Sequence, residues 1–202
     1  MIKNIDYLKH LKKDKALKKV IEQVGVIKNS RREDLFIALV RAIVSQQLSV
    51  KAADTIYNRF LGLFKNGVPD AKSILKLKDD KLRAVGLSYQ KAGYIKQIAT
   101  FSLKNSLDHK VLKEKTDDEL VEYLVQIKGV GRWTVEMLLM FNLSREDVFP
   151  KDDLGIQNGM KKLYSLTSEK KALLKEMEVI AEAWKPHRTL ACRYIWRYKD
   201  AK

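Results

Sequence analysis

The stretch QIKGVGRWTVEML, Gln126 to Leu138, sets two glycines two positions apart between segments with helical apolar spacing. Gly129 supplies the positive φ that closes a helix ending near Ile127 or Lys128. Gly131 then leaves the backbone bare just before the next helix. The N–H groups at such a helix start point outward with partial positive charge, and together they suit an anion such as a phosphate. Lys128 and Arg132 flank the turn and add charge. A side chain at either glycine would hold a phosphodiester away from those N–H groups. The same residues also make a plain tight turn between helices. A second candidate lies in DVFPKDDLGI, Asp147 to Ile156. There Asp153 directly precedes a helix expected to begin near Leu154. A carboxylate in that place accepts backbone N–H bonds and meets the positive end of the helix dipole, so it is expected to stay ionised. An Asp that only caps a helix reads identically.

Other chemistries are excluded by what is missing. One cysteine, Cys192, allows no intramolecular disulfide, no Cys-type zinc site and no four-Cys iron–sulfur cluster. The histidines His10, His109 and His187 are scattered and do not restore a metal site. No apolar run approaches the roughly 20 residues of a membrane span, and the Lys-studded start MIKNIDYLKHLKKDK lacks the uninterrupted apolar stretch of a signal peptide. The expectation is a soluble intracellular protein, cytoplasmic in a bacterium or archaeon, with no membrane association. Net charge is +15 over 202 residues, which points to a polyanionic partner, most simply nucleic acid. A genome-wide preference for Lys would give the same excess.

The elements that must position these residues read as helices throughout. Ser30 to Glu33, SRRE, is expected to form a capping box that opens DLFIALVRAIVSQQL, where Leu35, Leu39, Ala42 and Ile43 keep helical spacing. Ile56, Phe60, Leu63 and Phe64 share a face of the next helix, and Gly67 and Pro69 break it. Short helices are expected over Ala71 to Leu77 and Asp80 to Val85, with Ser88 capping the one that follows. Thr116 to Glu119, TDDE, is a second capping box. WTVEMLLMFNL is mostly apolar, as a helix covered by others must be. A helix from about Leu154 to Tyr164 and two more, separated by Pro186, complete the chain. No alternating strand pattern persists. The fold is expected to be all-α with about ten helices.

Four stretches in order carry a resemblance to a known family. LVQIKGVGRWTV resembles the helix–hairpin–helix of the HhH-GPD superfamily of DNA glycosylases, and DVFPKDDLGI resembles its Gly/Pro-rich loop with an Asp. LVRAIVSQQLSVKAADTIYNRF, Leu39 to Phe60, and AWKPHRTLACRYIWRY, Ala183 to Tyr198, are similar to the alkylation-repair branch, the 3-methyladenine DNA glycosylase II type; GLSYQKAGYIKQIA also fits. The resemblance spans most of residues 31–198. It implies a two-lobed helical fold with the active site in the inter-lobe cleft: a middle bundle over 31–145 ending in the hairpin, and a second lobe from 1–30 and 146–202 carrying the catalytic Asp. It also implies a minimal layout without the β-rich N-terminal domain of the enterobacterial relative.

The resemblance further implies a role for each candidate. Asp153 becomes the catalytic residue, with Asp152 as its neighbouring alternative. Lys128, Gly129, Val130, Gly131, Arg132 and Thr134 become the set that binds DNA backbone. The intercalating wedge falls on SQQLS, at Gln47 or Leu48. Trp133 stands where members that also cut the strand carry a nucleophilic Lys, so no Schiff base can form there and a monofunctional enzyme is implied. Trp133 suits stacking on an extruded, electron-poor base, or core packing. Trp196, Tyr194 and Tyr57 are weaker candidates for the base pocket, each more often core than pocket. The implied activity is hydrolysis of the N-glycosidic bond of alkylated purines, 3-methyladenine and 7-methylguanine, in double-stranded DNA, by a monomer without a cofactor. A monovalent cation at the hairpin is found in some relatives of this superfamily. The rival readings are a glycosylase for oxidised or deaminated bases and a non-catalytic DNA-binding module. The missing cysteine cluster and Trp133 argue against the endonuclease III and adenine-mismatch types.

Overall fold

Short polar side chains fix where most helices start. The computed structural model describes residues 3–27 and 33–200. Among these are thirteen α-helices: α1 Lys3–Leu11, α2 Lys15–Val24, α3 Leu35–Ser45, α4 Val50–Leu61, α5 Ala71–Lys76, α6 Asp79–Ala84, α7 Tyr89–Lys104, α8 His109–Leu112, α9 Asp117–Leu124, α10 Arg132–Phe141, α11 Leu154–Tyr164, α12 Lys170–Glu182 and α13 Arg188–Asp200. No strand occurs among the described residues, so the fold is all-α. Three helices exceed the expected ten. Asp14 divides the N-terminal segment into α1 and α2, and Asp108 caps the single turn of α8. Thr116 and Glu119 form the reciprocal capping box of α9, and the Ser88 hydroxyl accepts the Lys91 N–H at the start of α7. The capping box expected at Ser30 to Glu33 lies outside the described residues. Asp34 caps α3 instead, accepting the Ile37 N–H.

The chain divides into two units. Arg32–Leu143 forms one. Its core is α3, packed against α4, α7 and α10, while α7 also carries α5 and α6. Leu39, Val40, Ile43 and Val44 of α3 and Ile95, Ile98 and Ala99 of α7 are fully buried. Each large aliphatic so buried contributes about 1.5–3 kcal/mol. α9 packs on α10, which brings the hairpin between them onto this core. α10 is buried around most of its circumference, as its apolar sequence requires. Val135, Leu138 and Leu139 are buried, but Trp133 is 48% exposed.

Met1–Arg31 and Ser144–Lys202 form the other unit. α11 packs on α13, α12 and α2, and α2 also packs on α13 and α1. Asp14 ties this unit together through both carboxylate oxygens. Oδ1 caps α2, accepting the Ala16 and Leu17 N–H groups at 2.9 Å each. Oδ2 accepts the Tyr164 hydroxyl at 2.7 Å and the Trp184 Nε1–H at 3.0 Å. Burial raises the Tyr164 pKa far above its ordinary value, and the Asp14 carboxylate pushes the same way, so the phenol stays a donor. Trp184 is fully buried. Removing Asp14 would therefore strand two donors in the core. We expect Asp14→Ala to lower the unfolding free energy in urea by roughly 3 kcal/mol, about 1 from the cap and the rest from unpaired donors. Tyr164→Phe should lose only about 1 kcal/mol. Equal losses in the two variants would contradict this account.

Candidate active site

The hairpin turn follows α9, whose C-cap is Val125, and Gly129 reverses the chain. The Ile127 N–H donates to the Leu124 carbonyl at 3.1 Å, and the Val130 N–H to the Ile127 carbonyl at 2.9 Å. Gly129 has φ +97, and a Cβ there would lie 2.3 Å from Tyr94 Cγ, so both conformation and contact demand glycine. Gly131 is different. Its φ is −95, and a Cβ would meet nothing within 4 Å. No contact within the fold requires glycine there. It is the N-cap of α10 and offers that helix no side-chain cap. Lys128 is exposed. Arg132 Nε sits 3.1 Å from the Oε1 of the buried Glu136, so part of its charge is met within the fold. The Val130 and Thr134 side chains are buried. Thr134 can offer a strand its backbone N–H, whereas that of Val130 is already given to the Ile127 carbonyl.

Beside the hairpin, α3 and α10 enclose a cavity of about 690 Å³, within the range of small-molecule pockets. Ala42, Gln46, Leu48, Trp133, Met137 and Phe141 are among the residues that line it. Trp133 thus stands at a largely apolar concavity. Gln47 and Leu48 are exposed at its edge. Gln47 takes φ +57, a conformation that costs about 1 kcal/mol or more for a residue with a Cβ. Tyr57 does not line the cavity. It is buried, stacked on Phe60 at 6.4 Å, with the Arg41 guanidinium 5.2 Å over its ring.

In the other unit, Asp153 is the N-cap of α11. Its Oδ1 accepts the Ile156 N–H at 2.8 Å and the Trp196 Nε1–H at 2.9 Å. Gly155 makes room for this. A Cβ there would fall 3.0 Å from Trp196 Nε1 and 2.9 Å from Asp153 Oδ1. The indole of Trp196 therefore holds the carboxylate, a contact that the sequence did not reveal. Asp152 is exposed, while Asp153 is half-buried. Tyr194 is buried in this unit's core, its hydroxyl donating to the Gly25 carbonyl at 2.9 Å.

Two residues missed in the sequence secure the loop before Asp153. Arg188 grips Asp147 through Nε–Oδ1 at 2.8 Å and Nη2–Oδ2 at 2.9 Å. The Thr189 hydroxyl donates to the Arg145 carbonyl at 2.7 Å and accepts the Val148 N–H at 3.0 Å. Their only signal was position, directly after Pro186 in the last of the four stretches.

Residues 40–186 match the model of the HhH-GPD superfamily base excision DNA repair protein family. The chain belongs to that superfamily. It is 39% identical over 191 residues to DNA-3-methyladenine glycosylase 1 of Schizosaccharomyces pombe, covering 91% of this chain and 82% of that one. Two solved structures are similar. The S. pombe 3-methyladenine DNA glycosylase in complex with abasic DNA has a TM-score of 0.84 at 36% identity, over 95% of each chain. A Bacillus halodurans DNA-3-methyladenine glycosidase has a TM-score of 0.84 at 33% identity, over 95% of this chain and 88% of that one. No helix among the described residues is long and apolar enough to cross a membrane.

The two hairpin glycines should separate in a thermal melt. Gly129→Ala must strain φ and displace Tyr94, and is expected to lower stability by about 2 kcal/mol or more. Gly131→Ala is expected to leave the melting temperature unchanged. A destabilised Gly131→Ala would mean that the fold itself needs that glycine.

Proposed function

We propose that this protein is a monofunctional DNA glycosylase of base excision repair. It extrudes an alkylated purine, 3-methyladenine or 7-methylguanine, from duplex DNA and hydrolyses its N-glycosidic bond, leaving an abasic site. The observation that carries this reading is the similarity to DNA-3-methyladenine glycosylases along almost the whole chain. The reaction takes place on chromosomal DNA within a bacterial or archaeal cell, with the enzyme acting as a monomer.

The chemistry follows from the leaving group. An alkylated purine carries positive charge, so it departs readily with the bonding electrons. Positive charge then develops on the deoxyribose. Asp153 supplies a fixed negative charge for that transition state, orients the water that attacks C1′ and accepts the proton that this water loses. No amine stands at position 133 to replace water with a covalent intermediate. Trp133 stacks on the extruded base. The N–H groups of Arg132 and Thr134 at the start of α10 receive a phosphodiester beside the bare backbone of Gly129 and Gly131, with Val130 shaping the turn between them, and Lys128 adds a point charge. Gln47 or Leu48 fills the gap left in the duplex; the strained φ of Gln47 favours Gln47. No cofactor takes part. A monovalent cation at the hairpin would take oxygen ligands from its backbone carbonyls. Those of Ile127 and Gly129 each accept one hydrogen bond already and keep a second lone pair. No step runs through such an ion.

Single-turnover excision from a duplex with one defined lesion tests the reading. Asp153→Asn is expected to slow base release by at least about 100-fold while leaving the dissociation constant for DNA within twofold. Borohydride is expected to trap no enzyme–DNA adduct. Full activity in Asp153→Asn, or a trapped adduct, would contradict the mechanism.

A further inference from the structure

The loop that carries Gln47 is held from behind by a single cation. α3 ends at Ser45 with Gln46 as its C-cap, and the last carbonyls of a helix have no intrahelical donor. Lys91 of α7 reaches them. Its Nζ donates to the Val44 carbonyl at 2.8 Å and to the Gln46 carbonyl at 2.7 Å. An ammonium suits this task, with three donors on a flexible stem at the negative end of a helix dipole. Burial lowers the Lys91 pKa, as expected for a charge turned inward.

The contacts continue forward. Gln46 Nε2 donates to the Gly129 carbonyl at 3.1 Å, joining this loop to the hairpin. Tyr94, three residues beyond Lys91 on the same helix, packs so tightly on Gly129 that no Cβ fits. One face of α7 therefore anchors both elements that meet DNA in the proposed function. Gln47, at φ +57, directly follows the residue tethered at both its backbone and its side chain. A strained conformation persists only where its surroundings over-determine it.

We propose that Lys91 and Gln46 are positioning residues for strand insertion. They lock the Gln47–Leu48 loop in register with the hairpin, so that seating a phosphodiester on the hairpin also directs the loop side chain into the base stack. The charge of Lys91 serves internal carbonyls and not DNA phosphates. This rests on the assignment of insertion to the Gln47–Leu48 loop.

A double-mutant cycle tests it, with a fluorescent purine beside the lesion to report unstacking and single-turnover excision measured in parallel. Lys91→Met is expected to slow unstacking and excision about tenfold. It should leave unchanged both the affinity for undamaged duplex and its dependence on salt. Losing a phosphate contact would instead lower the salt slope by about 1. In a Gln47→Ala background the same change should add less than about twofold, because both act through one event. Lys91→Arg should restore most of the rate. A Lys91→Met protein at full rate, a loss that multiplies independently with that of Gln47→Ala, or a reduced salt slope would overturn the proposal alone. Normal unstacking in both Gln47→Ala and Leu48→Ala would remove the insertion assignment, and the proposal with it. Should Lys91→Met fail to fold, Gln46→Leu replaces it in the cycle, with the same expected coupling and the same overturning result.

Discussion

Asp153 Oδ1 accepts one hydrogen bond from the backbone of α11 and one from an indole, and much of its unit is arranged so that both persist. Gly155 gives the Trp196 ring its space. α11 lies against α13, which carries that ring. The bidentate Arg188–Asp147 pair and the Thr189 hydroxyl fix the loop on the N-terminal side. At the far end of α11, Tyr164 is tied to Asp14. Electrostatic stabilisation of a developing cation is effective only when the opposing charge needs no reorganisation as the bond breaks. A carboxylate free to rotate would spend much of the available energy on being aligned.

In the proposed function the other unit applies the same economy to binding. Its interior is aliphatic and fully buried along α3 and α7, so the short tethers from α7 act from a rigid base. The two glycines of the hairpin do separate jobs. Gly129 is required by the fold, since Tyr94 occupies the place of a side chain. Gly131 faces open space, and in the proposed function its value lies in the N–H groups it leaves uncovered. Positive charge is likewise divided. Lys91 is turned inward, Arg132 is shared with Glu136, and Lys128 is exposed. The net charge of +15 therefore overstates the number of side chains available to phosphates at this site.

Local signals in the sequence were enough to place much of this. The capping box of α9, the Ser88 cap, the bounds of α11 and the left-handed Gly129 each depend on residues within four positions of one another. What was illegible depends on partners far apart in the chain. Asp14 meets Tyr164 and Trp184 across 150 and 170 positions, so nothing near Asp14 in the sequence marks it. Trp196 is a base-pocket candidate by its aromatic type alone; that its ring nitrogen lies 2.9 Å from Asp153, 43 positions away, left no local mark. The carbonyls that Lys91 meets lie 47 and 45 positions away, so its local sequence carries no sign of them. Tyr194 and Tyr57 show the converse, as aromatic side chains that the structure packs in the interior of their units.

Trp196→Phe tests the claim on which the chemistry depends, because it keeps an aromatic ring over Gly155 and removes the indole donor to Asp153. The measurement is the single-turnover rate of base release at saturating enzyme, with thermal stability as the control for folding. A held carboxylate predicts a rate about tenfold or more below that of the parent, with the melting temperature little changed. A folded Trp196→Phe protein that releases the base at the parental rate would contradict it.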